Sequence, residues 1–106
     1  MAHVPPAAFR LAPGPEGGLI AQGPLTFATA RAARLLGLAA LKDSPQARQI
    51  DCAGVSACDS AGLAVLLDWL GAARLAGRSL KFTGLPEELM ALGRISDLDP
   101  LLARGV

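Results

Sequence analysis

The sequence predicts a mixed α/β fold, with four to five strands and helices on one face of the sheet. Three observations predict it. Short segments of strand character recur between glycine- and proline-rich turns. Stretches rich in Ala, Leu and Arg lie between them, and one carries apolar residues at three- and four-residue spacing. The middle of the chain runs strand–helix–strand, which demands parallel pairing with a right-handed crossover.

Residues 1–6 read as a start without fixed structure, with Pro5 and Pro6 together. Phe9 to Leu11 forms a short strand. Pro13-Gly14-Pro15-Glu16-Gly17-Gly18 is dense in turn formers and reads as a hairpin connection. Gly18 to Gly23 is the second strand, closed by Pro24. Thr26 is the expected N-cap of a helix from Phe27 to Lys42. Its apolar face is poorly defined, because Leu38 falls between Arg31 and Arg34 on the helix surface. Asp43-Ser44-Pro45 ends it, since proline disfavours helical geometry in the residue before it.

Ala47 to Ala53 reads as the third strand, and Gly54 to Cys58 leads out of it. Asp59-Ser60 then precede an amphipathic helix from about Ala61 to Ala76. Leu63, Leu66, Leu70 and Ala73 mark its buried face. Gly77 ends it as a left-handed cap. Ser79 to Thr83 alternates and forms a further strand. Gly84 turns the chain, and Pro86, Glu87 and Glu88 open a last helix to about Ile95. Leu98 to Leu102 carries enough leucine to pack back on the domain.

The chain has 106 residues, of which 52% are apolar. That suits one domain spanning 1–106 with a core that needs no staples. Aromatic residues are scarce (Phe9, Phe27, Phe82 and Trp69), so the core is aliphatic. Net charge is +1 with no run of Lys and Arg. This argues against a nucleic-acid or anionic-membrane surface, which needs a dense basic patch. The most apolar stretch, Ala61 to Ala73, is too short for a membrane span and is interrupted by Asp68. The first ten residues lack the pattern of a signal peptide. The expected location is cytoplasmic.

The residues also exclude several chemistries. The single histidine, His3, lies at a terminus, where a held catalytic imidazole is not expected. Cys52, Cys58 and His3 do not make a zinc site, and no cofactor is expected. The two cysteines read as reduced and partly buried, with a redox pair as the alternative. Gly71 to Ser79 fails as a phosphate loop. Its glycines are one residue too far apart, Arg78 stands where a lysine is needed, and the segment ends a helix instead of opening one. No base, nucleophile pair or nucleotide loop supports an enzyme.

One constellation stands out. Ile50-Asp51 lies on a strand, Gly54-Val55 follows, and Asp59-Ser60-Ala61-Gly62-Leu63 opens the central helix. Asp59 or Ser60 can accept a bond from a free N–H of the first turn. An ordinary cap, contributing about 1 kcal/mol, is the plain reading. The functional reading is a partner-facing hydroxyl at a helix N-terminus, a favourable place for a phosphate. Gly62 removes a side chain there, so another surface can approach closely.

These residues, with Leu66, Ala73 and Gly77, resemble the core signature of STAS domains, the anti-sigma-factor antagonist-like fold. The resemblance runs from about Leu19 to Leu102. Gly23-Pro24-Leu25-Thr26-Phe27-Ala28-Thr29-Ala30 is similar to one branch, the small MlaB-type STAS subunits of the Mla lipid-asymmetry transporter. So are Leu66-Leu67-Asp68-Trp69-Leu70, Ala73-Arg74, Gly77-Arg78, Phe82, Leu85-Pro86 and the Leu89-to-Leu92 helix. Subunits of that kind bind the cytoplasmic ATPase of an ABC complex that moves phospholipid between the two membranes of Gram-negative bacteria. The resemblance implies a non-catalytic subunit held at the inner membrane through its partner, without inserting into the bilayer. Asp59, Ser60, Ala61 and Gly62 would face the ATPase.

Thr26, Phe27, Val65 and Trp69 are weaker candidates for the same contact. If Leu63, Leu66, Leu70 and Ala73 face the sheet, then Val65, Ala72 and Leu75 lie on the far side with Asp68, and Trp69 falls at the border. An apolar outer strip suggests a covered surface, although scattered surface apolars are ordinary. Trp69 reads as core edge ahead of interface anchor. The competing function is an anti-sigma factor antagonist switched by phosphorylation of Ser60.

Overall fold

The computed structural model describes residues 8–95. The expected unfixed start over residues 1–6 and the packed tail over Leu98 to Leu102 lie outside the described residues. Four strands and three helices follow in the predicted order: β1 (Arg10–Pro13), β2 (Leu19–Leu25), α1 (Ala30–Asp43), β3 (Gln49–Cys58), α2 (Ser60–Leu75), β4 (Lys81–Thr83) and α3 (Glu87–Ile95). The sheet order is β1-β2-β3-β4. β1 runs antiparallel to β2, and β2, β3 and β4 are mutually parallel. The β1–β2 connection holds a single 3-10 turn, Pro15–Gly17. No helix of the described residues is long and apolar enough to cross a membrane.

Three of the boundary differences from expectation have a clear local reason. β2 continues through Gly23 and Pro24 to Leu25, with register shifts at Ile20/Gln22 and Gly23/Pro24. Proline is tolerated in a strand at such an irregularity, where a ladder N–H is already missing. Gly23 has φ +91, and a methyl there would meet the Ala8 carbonyl oxygen at 2.5 Å. β3 runs on to Cys58 because β2 pairs with it over that length, as far as Leu25 opposite Cys58.

The third difference is at α1, which starts at Ala30. Thr29, not Thr26, is its N-cap residue, and its side chain makes no capping bond to the helix. Instead the Thr29 hydroxyl lies 2.9 Å from the Pro24 carbonyl and 3.2 Å from that of Thr26, and accepts from the Thr26 N–H at 3.0 Å. These bonds fold Thr26 to Thr29 into a turn that delays the helix.

The buried strand positions alternate and share one face of the sheet: Leu19, Ala21 and Leu25 on β2, then Ile50 and Cys52 on β3. Leu63, Leu66, Leu70 and Ala73 of α2 are buried as predicted. Val65 and Trp69 are buried too, at 3% and 0% exposure, which corrects their placement on the outer side and the border of α2. The cause is α1. Its inner face is small (Ala33 and Gly37), so it packs close against α2. A methyl on Gly37 would sit 2.0 Å from the Trp69 indole, whose Nε1 donates to the Arg34 carbonyl at 3.3 Å. Phe9 and Phe82 complete the cluster, with ring centroids 5.9 and 6.4 Å from Trp69.

The far ends of α1 and α2 are tied together. Gly77, at φ +69, ends α2 in a Schellman motif: Arg78 N–H donates to Ala73 and Gly77 N–H to Arg74. The Arg78 guanidinium then donates to the carbonyls of Leu41, Ser44 and Ala47.

Candidate docking site at the start of the second helix

Asp59 is the N-cap of α2, in extended geometry at φ −147 and ψ −169. Its Oδ1 accepts from the N–H groups of Ala61 and Gly62 at 2.9 and 3.1 Å. Its Oδ2 accepts from the N–H of Phe27 at 3.0 Å. The Phe27 bond, helped by those of Gly62 and Ala61 and opposed by partial burial, holds the Asp59 carboxyl below the usual aspartate range. One carboxylate thus caps a helix and fastens a segment 32 residues earlier.

With Asp59 as the cap, Ser60 is the first residue of the helix and its side chain is exposed. It takes no part in the hydrogen bonding of the cap. Ala61 is half-buried beside it. Gly62 is buried, and a methyl there would lie 2.1 Å from the Leu25 carbonyl oxygen. The surface admitted by its missing side chain is therefore the chain's own β2, which corrects its assignment as a partner contact. The hydrogen is a packing requirement where β2 ends against α2.

Thr26 is half-buried in the turn, whereas Phe27 is 84% exposed. Phe27 stands at the mouth of a groove of about 460 Å³ between α1 and α2, lined by Ala30, Arg31, Arg34, Ala61, Ala64, Val65 and Asp68. Val65 lies at its floor, and Trp69 does not line it. Arg34 Nε donates to Asp68 Oδ2 at 3.1 Å, with both side chains about half exposed. Such a pair adds little stability, but it orders the groove wall.

The sequence places Arg31 and Arg34 on the surface of the helix beside Leu38 and gives no sign of the groove. The Arg31/Arg34 spacing was visible, but the partner Asp68 lies 34 residues away. Nothing local signals that pairing.

Both cysteines are free. Burial, with Asp51 adding, pushes the Cys52 thiol up to about 12. Burial raises Cys58 as well, followed by the charges of Glu88 and Asp59, against a lowering bond from the Leu89 backbone. Neither is an activated thiolate. Among the described residues, no group of three or more His, Cys, Asp or Glu side chains could hold a metal ion. What the site offers is contact: an exposed hydroxyl on a capped helix, a projecting aromatic ring and an apolar groove with charged walls.

A mixed four-stranded sheet crossed by two packed helices, with Asp-Ser opening the second, defines a STAS-type α/β domain. The family model described as "Mlab, STAS domain" matches residues 12–103, and the chain belongs to that MlaB-type family. The search of curated proteins returns no match.

Proposed function

We propose that this protein is a non-catalytic docking subunit that binds and stabilises or regulates the ATPase of a phospholipid-transporting ABC complex. On this reading it is cytoplasmic and reaches the inner membrane only through its partner. One observation carries the reading: the Ser60 hydroxyl is exposed at the start of α2, beside the projecting Phe27 ring and the groove between α1 and α2. Aromatic anchors next to a pocket are typical of the energetic centre of a protein interface. Membership of the MlaB-type family supports the choice of partner.

The test is co-purification of the ATPase and permease from native membranes with the tagged chain. Ser60→Glu or Ser60→Arg is expected to abolish it while circular dichroism stays native, because each puts a bulky charge into the contact. Retention of the ATPase by both variants sinks the reading.

A second reading is supported by the same exposure, which leaves Ser60 open to a kinase. A phosphate there adds about two negative charges at a helix N-terminus, which tolerates them, beside Asp59, which does not. Phosphorylated Ser60 would then switch partner choice, as in an anti-sigma factor antagonist. Intact mass of protein from native cells decides it, and absence of a phospho-form across growth conditions removes it.

A further inference from the structure

The groove beside Ser60 is one end of a longer seam between α1 and α2. A second hollow of about 230 Å³ continues along it, lined by Leu38, Leu41, Lys42, Ala72, Ala76 and Arg78. On the α2 bank the side chains are small, so another backbone can come close. Phe27, 84% exposed, stands at one end, and Leu75, 92% exposed, projects from the last turn of α2 near the other.

Charge distinguishes the two banks. The α1 bank carries Arg31, Arg34 and Lys42; Arg78, beyond the end of α2, has its guanidinium on three carbonyls, and among the described residues the only acid lining either hollow is Asp68. Asp68 is already engaged by Arg34. Arg31 and Lys42 are exposed and have no ion-pair partner among the described residues. They are eleven residues apart on one helix, about 16 Å at 1.5 Å per residue.

We infer that the seam receives an amphipathic helix of the partner, with its apolar face between Phe27 and Leu75 and two carboxylates about three turns apart reaching Arg31 and Lys42. This rests on the docking reading above and adds the partner's chemistry. An extended peptide fits poorly, because its alternate backbone groups would be desolvated over an apolar floor without partners. A helix satisfies its own backbone and lies naturally in the groove between two others.

The experiment places a benzoylphenylalanine photocrosslinker at Ala64 or Leu75 of the full chain in native cells. The same crosslinker at Lys81 on β4 is the control. The crosslinked peptides are sequenced by mass spectrometry. The expected adduct, from both seam positions and not from Lys81, is a helical segment of the ABC ATPase with acidic residues at the stated spacing. Arg31→Glu with Lys42→Glu should reduce its yield about tenfold, as loss of two charge contacts implies. Should that variant fail to fold, about 0.5 M salt applied to the unaltered side chains should reduce the adduct in the same way.

Adducts on the ATPase that ignore both charge reversal and salt, or that come only from the control, overturn the inference and leave the docking reading standing. An adduct with an acidic helix of a protein other than the ATPase retains the inference and removes the docking reading. No seam adduct, or one with a segment lacking acids or with a second copy of this chain, overturns the inference.

Discussion

Asp59 uses both carboxylate oxygens, one on the first turn of α2 and one on the backbone of Phe27. Because these bonds are stronger to the charged form, they hold the folded-state pKa below the ordinary value of 3.8. A lowered carboxylate contributes stability above the unfolded pKa and loses it as pH falls through the folded one. Thermal melts of the wild type and Asp59→Asn, compared between about pH 2.5 and 7, should show the consequence. The wild type melts higher near neutrality, because Asn turns a donor toward Phe27 or α2. The gap then closes as the pH drops through and below the ordinary aspartate range. A gap of constant size down to the lowest pH would show that the carboxylate's charge has no part in the cap. Ser60, its neighbour, is left without a structural duty, so its substitution tests contact instead of folding.

The two ends of α2 and the start of α1 are finished by different devices, and the devices differ in how legible they are. The buried face of α2 was readable because Leu63, Leu66, Leu70 and Ala73 recur at helical spacing, and Gly77 announced its own left-handed cap. The start of α1 was not readable. Thr26 and Thr29 are both fit to cap, and the choice between them depends on the carbonyl of Pro24, which belongs to the strand before. Val65 and Trp69 were misplaced for a related reason. Their cover is the Ala33–Gly37 face of α1, and small residues carry too weak an apolar signal to reveal a packing face. The exposed face of Ser60 was legible as a motif, whereas the groove beside it needs two helices brought together.

Arg78 belongs to this scale as well. It ties the carbonyls of Leu41, Ser44 and Ala47, so the end of α1 and the loop into β3 hang from the end of α2. Arg78→Ala leaves these acceptors to water and is expected to destabilise the fold by about 2 kcal/mol in urea denaturation. Arg78→Lys should recover only part of this, since a single ammonium cannot reproduce the fork that spans three carbonyls. Full recovery by lysine would mean that charge alone, and not the fork, holds the junction.

At the scale of the whole molecule, the sheet presents one face to α1, α2 and their shared Trp69. Cys52 lies inside this layer at 0% exposure, and Cys58 at the end of the same strand is half-buried. A thiol raised to about 12 and shut off from solvent reacts only when the layer opens. Labelling by iodoacetamide at neutral pH should therefore modify Cys58 slowly and Cys52 only at the rate of global unfolding. Mild denaturant should accelerate Cys52 in step with the loss of circular dichroism. Rapid modification of Cys52 in native buffer would show a core that breathes locally.

The bolt between Phe27 and Asp59, together with the Leu25 oxygen lodged against Gly62, welds two remote stretches of chain into a single rigid bearing. A partner that grips Phe27 and Ser60 meets them pre-spaced and loses little freedom in arranging them. By the same token, a methyl introduced at Gly62, out of any visitor's reach, would push the two apart and weaken the grip from within.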